Sequence, residues 1–220
     1  MNVLITGASG GLGTAVCRAF GEDGATVIGV ARNWLHGEAF TTIAADLTTE
    51  AGCEAMVREA LTHGPIDALA HLMGGFGGGQ SVAETDDQTW DGMMTLNLRA
   101  AFCAMRAALK PMMAAEYGRI VAVGSRAAVE PMKNFAAYSV SKAGLVALVK
   151  NVAVEGKDFG ITANVVLPSV IDTPPNRKAM PDANVSKWVT PESIAELVVW
   201  LASKRAGDVS GAVIPIYGRS

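Results

Sequence analysis

Seven short runs rich in β-branched and apolar residues recur along the chain, with longer amphipathic stretches between them. NVLIT (2–6), TVIGV (26–30), TTIAA (41–45), DALAHL (67–72), GRIVAVG (118–124), ITANVVL (161–167) and AVIPI (212–216) read as strands. Several are apolar throughout rather than alternating, the pattern of strands covered on both faces. Helical periodicity falls near 11–23, 49–63, 87–113, 136–157 and 191–203. Strand–helix–strand units join through right-handed crossovers. The expected fold is therefore α/β: a doubly wound, parallel, seven-stranded sheet between two helical layers. No composition shift or low-complexity segment marks a linker, so one domain is expected over 1–220. The stretch 168–190, PSVIDTPPNRKAMPDANVSKWVT, is Pro-rich, polar and too long for a plain connection. Loops of that length in compact domains are usually functional, and a lid over a substrate is expected here.

Composition narrows the function classes. A net charge of −3 gives no electrostatic case for nucleic acid or an anionic membrane as partner. Cys17, Cys53 and Cys103 are far apart and odd in number, as buried reduced thiols of a cytoplasmic protein would be. Only Met1 precedes the first strand, and no apolar run reaches the length of a membrane span. His36, His63 and His71 lack metal-ligand spacing, so no metal is expected.

The first strand runs into TGASGGLG (6–13) and then a helical pattern. Glycines at 7, 11 and 13 suit a tight turn whose backbone approaches a pyrophosphate at a helix N-terminus, which makes the fold Rossmann-type. No Lys-Ser/Thr pair closes the loop, which argues against a nucleotide triphosphatase. Where a carboxylate would accept the ribose hydroxyls of NAD, after the second strand, the chain has Ala31 and Arg32. A guanidinium without an acid favours NADP(H), with NAD(H) the alternative; a solvated loop Arg is the plain reading. Asp46 after the third strand is placed either to meet the adenine or to cap the next helix.

Tyr138 and Lys142 in AAYSVSKAG stand at i and i+4, on one helical face. A cation there is expected to lower the phenol pKa, as a general acid/base near pH 7 requires. Ser125 ends the fifth strand, at the edge where open α/β sheets bind ligands. Asn97 lies on an apolar stripe with Trp90, Met93, Met94, Leu98, Ala101 and Met105, so its amide needs a buried partner, such as a water linked to Lys142.

TGASGGLG, Asn97, Ser125 and the Tyr138-x-x-x-Lys142 pair resemble the short-chain dehydrogenase/reductase family over essentially the whole chain. The resemblance implies a tetrad in which Tyr138 transfers a proton, Lys142 lowers its pKa and binds the nicotinamide ribose, Ser125 positions the substrate, and Asn97 holds a relay water. It also implies cofactor contacts at Ser9, Gly10, Leu12, Leu47, Gly74, Pro168, Val170 and Thr173, and a homodimer or homotetramer. Two stretches depart from the common pattern: HLMGGFGGG (71–79) replaces Asn-Asn-Ala-Gly, and Pro168-Ser169 replaces Pro-Gly. Both departures resemble the dihydropteridine reductase branch. Arg32 and Ser125 fit that branch less well. The expected activity is hydride transfer from NADPH to a small carbonyl or imine-like substrate bound against Phe76, Met132, Met180 and Trp188, residues that could equally be core. Reduction of a quinonoid dihydropterin is the enzymatic alternative, and a non-catalytic NADP-binding sensor is the third reading.

Overall fold

The computed structural model describes residues 1–34 and 38–219; His36 lies outside them. Seven parallel strands stand in the order β3-β2-β1-β4-β5-β6-β7. They are β1 (Asn2–Thr6), β2 (Thr26–Ala31), β3 (Thr41–Ala44), β4 (Ala68–His71), β5 (Gly118–Val123), β6 (Ile161–Pro168) and β7 (Val213–Ile216). All seven expected strands are present, with ends within a residue or so of the apolar runs. Side-chain alternation sorts them onto two cores. Val3 and Ile5 of β1 face α1 (Gly11–Glu22) and α7 (Pro191–Ala202), around Phe20, Ile194 and Val198. Leu4, Leu69, Ile120 and Ala122 face the opposite layer. That layer comprises α2 (Glu50–Ala60), α4 (Ala100–Ala114) and α5 (Ala136–Gly156), packed through Met56, Met105, Met112, Leu145 and Val149. Burial on both sides is why these strands are apolar throughout.

Local chemistry sets the helix starts. Thr49 accepts the Gly52 amide before α2, and Thr190 accepts the Ser193 amide before α7, where Pro191 supplies a helix-compatible first residue. Gly10, before α1, provides no side-chain cap. On the α1 side of β2, a Cβ on Gly29 would lie 2.6 Å from the Phe40 ring. Phe40 meets Trp34 edge-on at 6.0 Å, and the Trp34 indole donates to the Ile43 carbonyl.

The helix expected at 87–113 is not continuous. A short α3 (Asp87–Met93) leads into a π-helical segment, Met94–Arg99, and α4 follows. A wider turn rotates the helical phase, so an apolar stripe extrapolated across it does not stay on one face. Trp90 is accordingly exposed, and Asn97 is the buried residue of the segment. Asn97 thus points inward at the level of the strand ends.

At the far edge, the buried Asn164 of β6 donates to the Val209 carbonyl at 2.8 Å and accepts the Ala212 amide at 3.0 Å, tying in the approach to β7. Asn164→Ala leaves two backbone groups without these partners. Urea unfolding is expected to show a loss of about 2–3 kcal/mol, whereas a loss under about 0.5 kcal/mol would show that the amide is dispensable.

Candidate active site

β1 and β4 are neighbours, yet the chain leaves them toward opposite layers, which opens a crevice at their carboxyl ends. A cavity of about 480 Å³ occupies it. Gly7, Ser9, Gly10, Gly11, Leu12 and Gly13 line one end, Ala31, Arg32 and Leu47 the other, and Gly74 the far wall. Gly7 has φ +73°, and a Cβ there would stand 2.9 Å from the Met73 amide nitrogen, so both conformation and space demand glycine. A Cβ on Gly13 would overlap the Gly7 carbonyl oxygen, so α1 can pack on the turn only without one. With no side chain capping it, the first-turn amides of α1 are available to an anion in the crevice. The cradle fits a dinucleotide pyrophosphate.

Arg32 is exposed at the end of the cavity formed with Ala31 and Leu47. Asp46 lies outside the cavity lining: its carboxylate accepts the Thr48 hydroxyl at 2.7 Å and amide at 3.0 Å. These bonds, more than the nearby Arg32, hold its pKa below the usual range. It does not cap the next helix either, because Thr49 does.

At the other end, β5 delivers Ser125, and α5 delivers Tyr138 and Lys142. Ser125 accepts the Ala127 amide at 3.2 Å, and its hydroxyl stands close enough to Tyr138 to act on the phenol. The buried Lys142 donates to the Val123 carbonyl at 3.2 Å. A Cβ on Gly74 would come within 2.8 Å of Asn97 Oδ1 and 3.0 Å of Lys142 Nζ, so the missing side chain opens the cavity wall onto both groups. Asn97 accepts the Gly75 amide at 2.9 Å and donates to the Gly75 carbonyl and the Ser141 hydroxyl, each at 3.1 Å. Ser141 donates in turn to the Tyr138 carbonyl at 2.8 Å. Protein groups rather than a water thus satisfy the Asn97 amide.

The two titratable groups are displaced in opposite senses. Burial pushes Lys142 down to about 8, because an ammonium in an apolar site loses its hydration. Burial also raises the Tyr138 phenol above its ordinary value, against a smaller downward pull from the Ser125 hydroxyl. The expected lowering of Tyr138 by Lys142 is therefore not what the structure shows: desolvation outweighs it, and the ammonium is engaged with the Val123 carbonyl.

Phe76, in the glycine-rich 74–79 loop, is 63 % exposed. It meets the Tyr138 ring edge-on at 5.0 Å and the Phe135 ring at 4.8 Å. The 168–190 segment runs from the end of β6 to the start of α7. Pro168 closes β6, and Ile171 pairs with Val189 in a parallel bridge. Val170 accepts the Val189 amide, and Thr173 precedes a short helix, α6 (Pro174–Ala179). Asp172 and Arg177 form a two-pronged ion pair at 2.6 and 2.8 Å. The Thr173 methyl lies 3.2 Å from where a Gly11 Cβ would be, so the segment touches the phosphate turn. Met132 and Met180 are exposed, whereas Trp188 is buried with its backbone against Gly218.

Val30, Asn33, Ala45, Leu72, Met73 and Leu96 also line the cavity, and none is conspicuous in the sequence. Their placement comes from strand ends and the π segment. Ser141 and Phe135 were equally silent, although Ser141, one residue before Lys142 and three after Tyr138, sits where a helix turns a hydroxyl back onto the preceding turn.

A doubly wound sheet with a glycine cradle at its switch point defines a dinucleotide-binding protein. The short chain dehydrogenase family model matches residues 1–184, and the chain belongs to that family. It is 31 % identical to the short-chain dehydrogenase/reductase olcF of Penicillium canescens, covering 97 % of this chain and 94 % of that one. It is also 31 % identical to nodulation protein G of Azospirillum brasilense, covering 98 % and 96 %. The solved structure of an oxidoreductase of the family from Burkholderia thailandensis superimposes with a TM-score of 0.87 at 30 % identity, covering 99 % of this chain and 91 % of that one. The protein is an oxidoreductase of this family, with a nicotinamide dinucleotide as its cofactor.

A base whose folded pKa lies below its unfolded value binds fewer protons when folded, so stability rises with pH between the two values. For Lys142 that window runs from about 8 up to its ordinary value of 10.5. The stability difference between wild type and Lys142→Met is expected to change in favour of wild type across that interval. A difference independent of pH would show that Lys142 keeps an ordinary pKa.

Proposed function

We propose that the protein is an NADPH-preferring reductase of small carbonyl or imine-like compounds, with Tyr138 as the proton donor. The observation that carries this reading is the placement of the Ser125 hydroxyl beside Tyr138, with a buried Lys142 that the Gly74 wall leaves open to the crevice. The amides of Gly10 to Gly13 would hold the pyrophosphate, Arg32 a 2′-phosphate, and Pro168, Val170 and Thr173 the nicotinamide end. Bound there, the cofactor supplies the hydride. Near neutral pH the raised Tyr138 is a phenol and Lys142 an ammonium, the charge state suited to reduction. Tyr138 gives its proton to the substrate heteroatom that Ser125 aligns, and Lys142 stabilises the phenolate left behind. Asn97 acts at one remove, holding the Gly75 wall against α5 through Ser141.

A second reading, reduction of a quinonoid dihydropterin, draws support from the Phe76 and Phe135 rings beside Tyr138, which offer a face to a flat heterocycle. Turnover of a quinonoid pterin beside a panel of small ketones, with NADPH and NADH in turn, separates the two. The exposed Phe102 of α4 and Val154 of α5 support a homo-oligomer joined through these helices.

Tyr138→Phe is expected to lower kcat by about 10²–10⁴-fold with cofactor binding retained; an unchanged rate with every substrate would remove the enzymatic role. Arg32→Ala is expected to raise the KM for NADPH by about tenfold or more and to leave that for NADH nearly unchanged. Equal losses for both cofactors would show that Arg32 does not read a 2′-phosphate.

A further inference from the structure

Between Met73 and Gln80 the chain is glycine except for Phe76, so this ribbon carries a single side chain. Its neighbours fill the space that other side chains would need. A Cβ on Gly75 would stand 2.5 Å from Leu96 Cδ2, one on Gly77 3.1 Å from Met93 Cε, and one on Gly78 2.5 Å from Phe135 Cδ1. Hydrogen bonds tie the ribbon at both ends. Asn97 accepts the Gly75 amide at 2.9 Å and donates to the Gly75 carbonyl at 3.1 Å. The Gly79 amide donates to the Asn134 carbonyl at 2.7 Å. A glycine run is ordinarily a flexible connection. Here packing and hydrogen bonds on both flanks hold it, and it delivers one ring to one place.

That place is beside Tyr138. The Phe76 ring meets the Tyr138 ring edge-on at 5.0 Å, with 75° between the planes, and lies tilted against Phe135 at 4.8 Å. Most of the Phe76 ring is nevertheless uncovered. A lone exposed apolar residue needs no explanation, but an open ring in contact with the candidate proton donor is a surface for something that docks there. The ribbon has no polar side chain, so it offers a π face and no side-chain hydrogen bonds. Aromatic rings associate through offset or edge-to-face contacts that a saturated ring cannot match.

The geometry points to Phe76 as the residue that determines substrate class: the reducible carbonyl or imine belongs to a planar ring or is attached directly to one. That ring rests on Phe76 while the heteroatom meets the Tyr138 hydroxyl. Because Phe76 and Tyr138 are in contact, a reducible group held several bonds away from the ring would overshoot the phenol. The inference rests on the reading of Tyr138 as proton donor, and it narrows that reading from small carbonyl or imine compounds to flat ones.

Acetophenone and cyclohexyl methyl ketone differ in ring planarity and little in size. The ratio of their kcat/KM values, compared between variant and wild type, cancels their intrinsic reactivities. Phe76→Leu keeps an apolar side chain without a π face and is expected to lower the acetophenone preference by about three- to tenfold, with the cofactor KM unchanged. Phe76→Trp is expected to restore the preference. A ratio unmoved in Phe76→Leu, with only the melting temperature reduced, would make Phe76 structural and overturn the proposal. A second measurement needs no turnover: benzamide and cyclohexanecarboxamide are titrated into cofactor-saturated protein carrying ¹³C-labelled phenylalanine rings. Benzamide is expected to bind more tightly and to shift the Phe76 resonances, and Phe76→Leu to abolish the difference. Equal affinities, or a benzamide preference that survives Phe76→Leu, would overturn the proposal. A Phe76-dependent benzamide preference in a protein that reduces no carbonyl or imine would instead remove the reductase reading and leave the ring site standing.

Discussion

The crevice between the ends of β1 and β4 is the constraint on which the rest of the molecule depends. Right-handed crossovers carry the chain from β1 to one layer and from β4 to the other, and backbone ends splay where the winding reverses. Side chains cannot fill that space without blocking the turn into α1, so Gly7 and Gly13 stand there. What remains is a cavity with amides at one end and two buried hydrogen-bonding side chains, Asn97 and Lys142, behind a bare glycine wall. The Pro-rich 168–190 segment touches the same turn through Thr173.

Desolvation is the dominant electrostatic influence inside this frame. It acts with opposite signs on Tyr138 and Lys142, making the phenol a poorer acid and the ammonium a better one. Near neutral pH the pair is therefore phenol plus cation. Hydrogen bonds rather than ion pairs complete the arrangement: Lys142 to Val123 and Asn97 to Ser141. Ion pairs such as Arg18–Glu192 and Arg126–Glu130 lie instead at the solvated surface, where they contribute little.

Much of this was legible in the residues alone. Continuous apolar runs mark strands covered on both faces, and TGASGGLG between a strand and a helix marks the phosphate turn. The i, i+4 spacing of Tyr138 and Lys142 is a helical fact that needs no tertiary information. The π segment was not legible, because a wider turn leaves no distinctive composition, and the stripe including Trp90 was misjudged as a result. The Asn97 partners were hidden for a related reason: Gly75 and Ser141 are distant in sequence and meet Asn97 only when α5 packs against the π segment. Asp46 was legible only in part: an acid after a strand suggested a helix cap, whereas its carboxylate bonds Thr48 and Thr49 caps the helix.

The sequence by itself determined the parallel, doubly wound sheet, the glycine cradle and the helical face carrying Tyr138 and Lys142. Each follows from short-range sterics, hydrophobic period or the chirality of crossovers, which act within a few residues or one βαβ unit. Only the tertiary structure decided the environment of those groups: the depth at which Lys142 is buried, the upward displacement of Tyr138, and the aromatic wall of Phe76 and Phe135. Desolvation and side-chain packing are sums over neighbours brought from remote parts of the chain, so no local pattern encodes them.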